Sequence, residues 1–337
     1  MKLLFSFLSI LSVMVSGNHV MKSVNIVPGG QNIGIEIKPG GLMVSGTYDI
    51  KYEGKTYNPS SNSDIQKGDI IYKANDAVVQ NVDDFVNIFS NSPESNDIKL
   101  SLKRNGKFIN RTLHIVRIDN RFKTGLFVKE RLLGIGTISF YDENTKMYGA
   151  LGHEISDNSS SDIIEVDSGS IYDSTVTSIT PSINSKPGEK IADIDFNDYL
   201  GNVLSNTNIG IYGKYETLPT NSSSLPLAEI EEVHLGKAEM WTVVKGDEVT
   251  KYQIEITKVN KQNEIAAKGI SFKVTDERLL KVSNGIVAGM SGSPIIQNGK
   301  VVAAVTHVLV DKVESGYGVY MRWMFDMANT IYEQYYG

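Results

Sequence analysis

"GIVAGMSGSPIIQNGKVVAAVTHVLV", residues 285–310, decides how the chain is read. Most of it is apolar and β-branched, the composition of buried strands. Yet it opens on a knot of small residues, Gly289-Met290-Ser291-Gly292-Ser293, before "QNGK" at 297–300 turns the chain back as a hairpin. Ser291, boxed in by glycines, is either part of a tight turn or a hydroxyl held out for chemistry. Outward from this stretch, residues 122–325 alternate short β-like runs with turn residues, the pattern of antiparallel barrels or a sandwich. Only the tail departs from it. Met324, Met327, Ile331 and Tyr335 recur at helical spacing and predict a short C-terminal helix.

Upstream the character differs. "IGIEIK" alternates at period two, with Ile33, Ile35 and Ile37 on one face. "VDDFVNIFS" puts Val82, Phe85, Val86 and Phe89 at helical spacing, with Asp83 and Asp84 in the first turn, where carboxylates suit the helix dipole. "DIKLSLKRNGKFINRTLHIV" is a hairpin about Asn105-Gly106. The chain therefore divides into residues 1–20, a first domain at 21–118 and a second at 119–337.

Composition narrows the partners. The 337 residues carry 39 acidic and 33 basic side chains, a net charge of −6, with no basic stripe, so nucleic acid is not an expected partner. Zero cysteines exclude a thiol nucleophile and any disulfide framework. "MKLLFSFLSILSVMVSGNHV" joins Lys2 to an apolar run from Leu3 to Val15, the outline of a signal peptide or membrane anchor. An extracytoplasmic, membrane-associated protein follows.

A serine hydroxyl attacks a carbonyl only when a base accepts its proton, and the chain has just five histidines. His19 ends the export segment, His114 belongs to the first domain, and His234 follows two glutamates without a glycine-poised partner. His153, in "YGALGHEISD", stands where an apolar strand breaks at Gly152, a fitting place for a general base. In "VVAAVTHVLV" alternation puts Thr306 and His307 on opposite faces, and Thr306 is read as the supporting residue that faces the site. No metal and no cofactor are expected, since "HEISD" lacks the second histidine of a zinc helix. An α/β-hydrolase needs G-x-S-x-G with its histidine last, and the position two beyond Ser291 is Ser293. The order His153 then Ser291 suits chymotrypsin-like paired barrels, in which the amides of Gly289 and Ser291 would bind the oxyanion.

Two resemblances extend this reading. "PGGQNIGIEI" and "SDIQKGDIIYKANDAVV", with the helix at 82–90, resemble a PDZ domain; the likeness implies a peptide-binding edge at Ile33, Gly34 and Ile35. "GMSGSPIIQNGKVVAAVTHVLVDKVESGYGVYM", "ALGHEISD", "GSIYDSTVTSI" and "PGEKIA" resemble the SpoIVB peptidase family, membrane-anchored PDZ serine proteases of endospore-forming Firmicutes. That resemblance implies a mainly β fold, a PDZ domain followed by a chymotrypsin-like double β-barrel. It also implies Ser291 as nucleophile, His153 as base and Asp276 of "VTDERLL" as the third triad member. Asp157 is the rival by proximity to His153, and Asp276 reads equally as a helix cap. The implied role is intercompartmental signalling in sporulation, in the space between forespore and mother-cell membranes. There the protein would process its own N-terminal region and cleave a membrane-bound regulator to trigger late sigma-factor activation. PDZ-bound peptide tails would be further partners. The competing reading is a non-catalytic PDZ scaffold with a decayed protease-like half.

Overall fold

The computed structural model describes residues 24–90, 96–119, 121–156, 163–220, 222–262 and 264–337. Strands β1 (Asn25–Pro28) and β2 (Asn32–Lys38) come first among the described residues. An inserted unit follows: β3 (Leu42–Thr47), β4 (Ile70–Ala74), α1 (Val82–Ser90), β5 (Asp97–Arg104), β6 (Lys107–His114) and β7 (Leu126–Lys129). Its sheet runs β7-β3-β4-β5-β6, and Phe85 and Phe89 of α1 join Leu42, Val44, Leu100 and Leu102 in one core. The hairpin predicted at Asn105-Gly106 forms, both residues having positive φ (50° and 72°), as a tight two-residue turn requires.

The chain then returns to the sheet it left. Strands β8 (Leu132–Tyr141), β9 (Met147–Ala150), β10 (Ser168–Thr180), β11 (Glu189–Asn202), β12 (Ser205–Thr207) and β13 (Gly210–Lys214) build a sheet ordered β11-β10-β2-β8-β9-β13-β12. It curls round until an isolated bridge joins Gly201 to Tyr215. The second half is a closed barrel, β14-β15-β16-β19-β18-β17, of β14 (Gly236–Thr242), β15 (Thr250–Val259), β16 (Ile270–Val274), β17 (Pro294–Gln297), β18 (Lys300–Leu309) and β19 (Lys312–Tyr320). Helix α2 (Glu277–Ser283) sits between β16 and β17. The closing helix α3 (Met321–Tyr336) buries Met324, Phe325, Ala328 and Ile331 against Phe140 and Tyr212 of the first sheet and Val301 and Ala304 of the barrel. It therefore seals the junction of the two halves. Among the described residues no helix is long and apolar enough to cross a membrane.

This topology corrects one expectation. Ile33, Gly34 and Ile35 do not form a peptide-binding edge. β2 pairs with β8 on one side and β10 on the other, which leaves no free backbone to which a peptide could add. Ile33 and Ile35 are buried, and a Cβ on Gly34 would lie 2.4 Å from the Ile194 side chain. Residues 24–38 thus belong with the first sheet, built otherwise from residues 132–214, and the unit expected at 21–118 is an insertion between β2 and β8.

Candidate active site

The small-residue knot of the opening stretch is a loop between α2 and β17, pressed against the first sheet. Gly292 explains itself by contact: a Cβ there would fall 2.0 Å from the Thr137 carbonyl oxygen and 2.6 Å from the Leu151 amide nitrogen. Its φ of +95° excludes other residues independently. Around it, Met290 N donates to Val287 O (3.2 Å), Gly292 N to Val305 O (2.8 Å) and Ser293 N to Met290 O (3.0 Å). The amides of Gly289 and Ser291 have no acceptor among the described residues.

Their orientation is fixed from behind. The carbonyl of Ala288 accepts from Lys190 N at 2.9 Å, that of Gly289 from Thr137 Oγ1 at 2.7 Å, and that of Ser291 from Thr137 N at 3.1 Å. Across a trans peptide the N–H points opposite the carbonyl. Tying back the Ala288 carbonyl therefore turns the Gly289 amide outward. Two free amides on alternate residues flank the Ser291 side chain, a donor pair suited to a developing oxyanion.

The rest of the site gathers on β18. Ser291 Oγ donates to the Thr306 carbonyl at 2.8 Å. Gly152, at the end of β9, lies so close to the same strand that a Cβ would be 3.0 Å from Val305 O and 3.1 Å from Thr306 Cγ2. His153 follows directly, half-buried, with Nδ1 2.7 Å from the Glu154 carbonyl oxygen. With Nδ1–H as donor to that carbonyl, Nε2 carries the lone pair and can take a proton. Burial pushes the His153 pKa below the usual 6.5, against the smaller opposing pull of the Glu154 carbonyl and charge.

The His153 ring lies 4.9 Å, centroid to centroid, from that of His307. His307 is lowered as well, first by burial and then by the neighbouring His153. The expected roles on β18 are thereby exchanged. Alternation does separate Thr306 from His307, but the Thr306 side chain is the structural one, 1% exposed with Oγ1 donating to Ala267 O, and His307 faces His153. A register shift between Val305 and Val308 marks this part of the strand, and no period-two pattern reports it.

Asp276 is not brought to His153. It is the N-cap of α2: Oδ1 accepts from Arg278 N and Nε, and Oδ2 from Gln253 N and Arg278 Nη2. β16 explains the separation, because its Ile270 end pairs with Gly318 beside Val305 while Asp276 lies past the Val274 end. The Arg278 guanidinium and the two amides hold its carboxyl down at about 2. Asp157 lies outside the described residues. Among those described, no three His, Asp or Glu side chains stand close enough together to hold a metal ion.

The family model for SpoIVB peptidase S55 matches residues 120–325, more than half of the chain. The chain belongs to the SpoIVB peptidase family. It is accordingly a serine peptidase. Among solved structures it is similar to the Rv3671c protease from M. tuberculosis in its active form, at 14% identity over 59% of this chain and 74% of that one, with a TM-score of 0.34. The inactive form of Rv3671c is similar at 14% identity over 58% and 84% of the two chains, with a TM-score of 0.32. Comparison with curated proteins finds no match.

Two outcomes are expected from this geometry. Asp276→Ala should lower stability by about 1 kcal/mol through the lost cap while kcat per folded molecule stays within about twofold. Because the folded pKa of about 2 lies below the unfolded 3.8, this contribution exists above pH 3.8 and vanishes as pH falls toward 2. A loss of roughly 10³-fold in kcat with unchanged unfolding would restore Asp276 to the triad. Second, kcat/KM for a small ester should rise with pH through a midpoint below 6.5, the value that His153 departs from; a midpoint above it would contradict the buried base.

Proposed function

We propose that Ser291 is the nucleophile and His153 the general base of this peptidase, with the Gly289 and Ser291 amides as the oxyanion hole. What carries the reading is the pair of unpaired amides beside a hydroxyl that rests on β18, the strand that bears His307, whose ring lies 4.9 Å from that of His153. In the resting arrangement the hydroxyl rests on the Thr306 carbonyl. Rotation about the Ser291 Cα–Cβ bond releases it toward the imidazoles. The hydroxyl proton passes to His153 Nε2 as the Oγ–carbonyl bond forms; the same proton then goes to the leaving amine as the C–N bond breaks. Water resolves the acyl-enzyme by the reverse sequence. The Glu154 carbonyl on Nδ1 supplies the tautomer that a carboxylate supplies in the usual triad, without its charge.

The inserted unit is read as a PDZ-like peptide receptor whose groove lies between β7 and α1. Among the described residues β7 is an edge strand, paired with β3 alone. The start of α1 reaches one end of it, Val82 N donating to Glu130 Oε2 at 3.2 Å, and the end of α1 reaches the other, Phe89 lying 6.1 Å from Phe122. Val82 and Val86, one turn apart on α1, are exposed at 38% and 47%, leaving apolar surface for a peptide side chain. A free edge beside an exposed helix is what strand addition needs. On this reading "TGLFVK", residues 124–129, takes the place expected of "IGIEIK".

Family membership and the apolar run Leu3–Val15 support the remaining assignment. The protein works outside the cytoplasm, tethered near a membrane between forespore and mother cell. It processes its own N-terminal region and cuts a membrane-bound sporulation regulator.

A fluorophosphonate probe tests the chemistry. Labelling should disappear in Ser291→Ala and fall by at least about 10³-fold in His153→Ala, both variants unfolding like wild type; persistent labelling of Ser291→Ala would remove the nucleophile assignment. Val86→Asp should weaken binding of a peptide bearing a free C-terminus by about tenfold or more, at unchanged ester hydrolysis. Equal peptide affinity in that variant would place the receptor edge elsewhere.

A further inference from the structure

Lys190 lies at the joint of the two halves and the mechanism above does not use it. It is the second residue of β11, only 4% exposed, and its Nζ lies 3.1 Å from Thr242 Oγ1 in the barrel and 3.4 Å from both Asn32 Oδ1 and Thr137 Oγ1 in the first sheet. An ammonium has three protons to donate and accepts none; here it meets three neutral oxygens. Among the described residues no carboxylate pairs with it. Burying an uncompensated cation is costly, and the burial accordingly pulls its pKa down to about 7. A methionine of similar length would fill the space without that cost, so packing alone does not account for a lysine.

Its neighbours say what the cation does. Thr137 Oγ1, receiving from Nζ, has its own proton left to give, and gives it to the Gly289 carbonyl at 2.7 Å. The Thr137 amide holds the Ser291 carbonyl, and the Lys190 amide holds that of Ala288. The aliphatic stem of Lys190 runs along Gly289, where a Cβ would meet its carbons at 3.1–3.3 Å. The Ala288 carbonyl, opposite the Gly289 amide, is thus tied to the Lys190 amide and the Met290 carbonyl, opposite the Ser291 amide, to Ser293 N, while Thr137 holds the Gly289 and Ser291 carbonyls on either side of Met290. Resting on Ser291 as nucleophile, we propose that Lys190 is a positioning residue of the peptidase reaction: acting through Thr137, its side chain fixes the Ala288–Ser291 loop so that the Gly289 and Ser291 amides meet the oxyanion. The interaction then strengthens as negative charge develops on the substrate, which is when it accelerates the reaction.

The test uses Lys190→Met, Thr137→Val, their double variant and Thr137→Ser in the full chain. For a small peptide ester, Lys190→Met and Thr137→Val should each lower kcat by about 10²-fold with KM within about twofold, the loss typical of a disturbed oxyanion donor. Affinity for a peptide aldehyde, whose adduct with Ser291 bears the oxyanion, should fall by a similar factor, while affinity for the matching N-terminal product peptide stays unchanged. The double variant should be no worse than the poorer single one, since the two residues act as one chain. Thr137→Ser, which keeps the hydroxyl, should recover most of the activity. Should Lys190→Met not fold, Thr137→Val decides alone. Wild-type kcat and aldehyde affinity in these variants, with only thermal stability lost, would make Lys190 a structural bolt and overturn the proposal. Activity surviving in Ser291→Ala would instead overturn the nucleophile, a separate failure read from a separate variant.

Discussion

Backbone hydrogen bonds between the loop at 283–293 and the first sheet hold the site together. Thr137 N reaches Ser291 O, Ser182 N reaches Ser283 O, Ala288 N reaches Gly188 O and Lys190 N reaches Ala288 O. Ser182 Oγ adds a buried donor to Ile286 O and accepts from Gly188 N. Ser291, the proposed nucleophile, comes from one half of the protein and His153, the proposed base, from the other, so on that proposal the chemistry exists only while this seam is closed. Each bond contributes on the order of 1 kcal/mol net, but leaving one of these buried groups unpaired costs more than making the bond gains. The seam therefore tolerates little change in register, and glycine at 292 is what permits the approach.

That dependence also explains which parts of the site could be read from the chain. The glycine-boxed serine, the histidine at a strand break, the turns at Asn105-Gly106 and Asn298-Gly299 and the cap before α2 are local features, governed by φ, by side-chain size or by one hydrogen bond to a neighbour. Such features are legible because their causes lie within a few residues. The edge of a strand is not such a feature. "IGIEIK" shows which side chains share a face, but β2 takes its partners from 132–137 and 168–173, and nothing near Gly34 announces them. Lys190 was invisible for the same reason: its three acceptors come from β2, β8 and β14, and a lysine early in a polar strand looks solvated. For His307, alternation correctly places it opposite Thr306 but does not say which of the two faces the site, and the register shift beyond Val305 is silent in the sequence.

The geometry around His153 carries a further consequence. A carboxylate on Nδ1 both selects the tautomer and stabilises the imidazolium formed during attack. A backbone carbonyl does the first and does less of the second. Burial already disfavours the charged ring, and the neighbouring His307 adds no countercharge. Glu154, whose negative charge acts on both rings in the favourable direction, is the one carboxylate among the described residues felt by the pair. Stabilisation of the transition state must then lean more on the oxyanion side than in a triad with a buried aspartate. A buried lysine behind Gly289 that holds Thr137, and through it the nucleophile loop, fits that distribution of labour.

The insertion point makes the placement of the receptor unit consequential. β7 ends at Lys129 and β8 begins at Leu132, with Glu130 bonded to the start of α1 and Arg131 beside the buried Glu36 of β2. Five residues into β8 stands Thr137, which holds two carbonyls of the nucleophile loop. The strand that would receive a peptide is thus continuous with the strand that positions the oxyanion amides. Continuity alone transmits nothing: a ligand shifts an equilibrium only by as much as it prefers one arrangement over another. The joint at 130–131 is held by charged contacts, at 3.6 Å between Arg131 and Glu36, with Arg131 half exposed, whereas the pairing from Leu132 to Thr137 is a full ladder with β2. The joint at 130–131 is therefore the weaker connection and the β8–β2 ladder the firmer one. If a peptide binds at β7 as proposed, the firm ladder behind Thr137 favours delivery of a substrate to a site already in place over remodelling of that site.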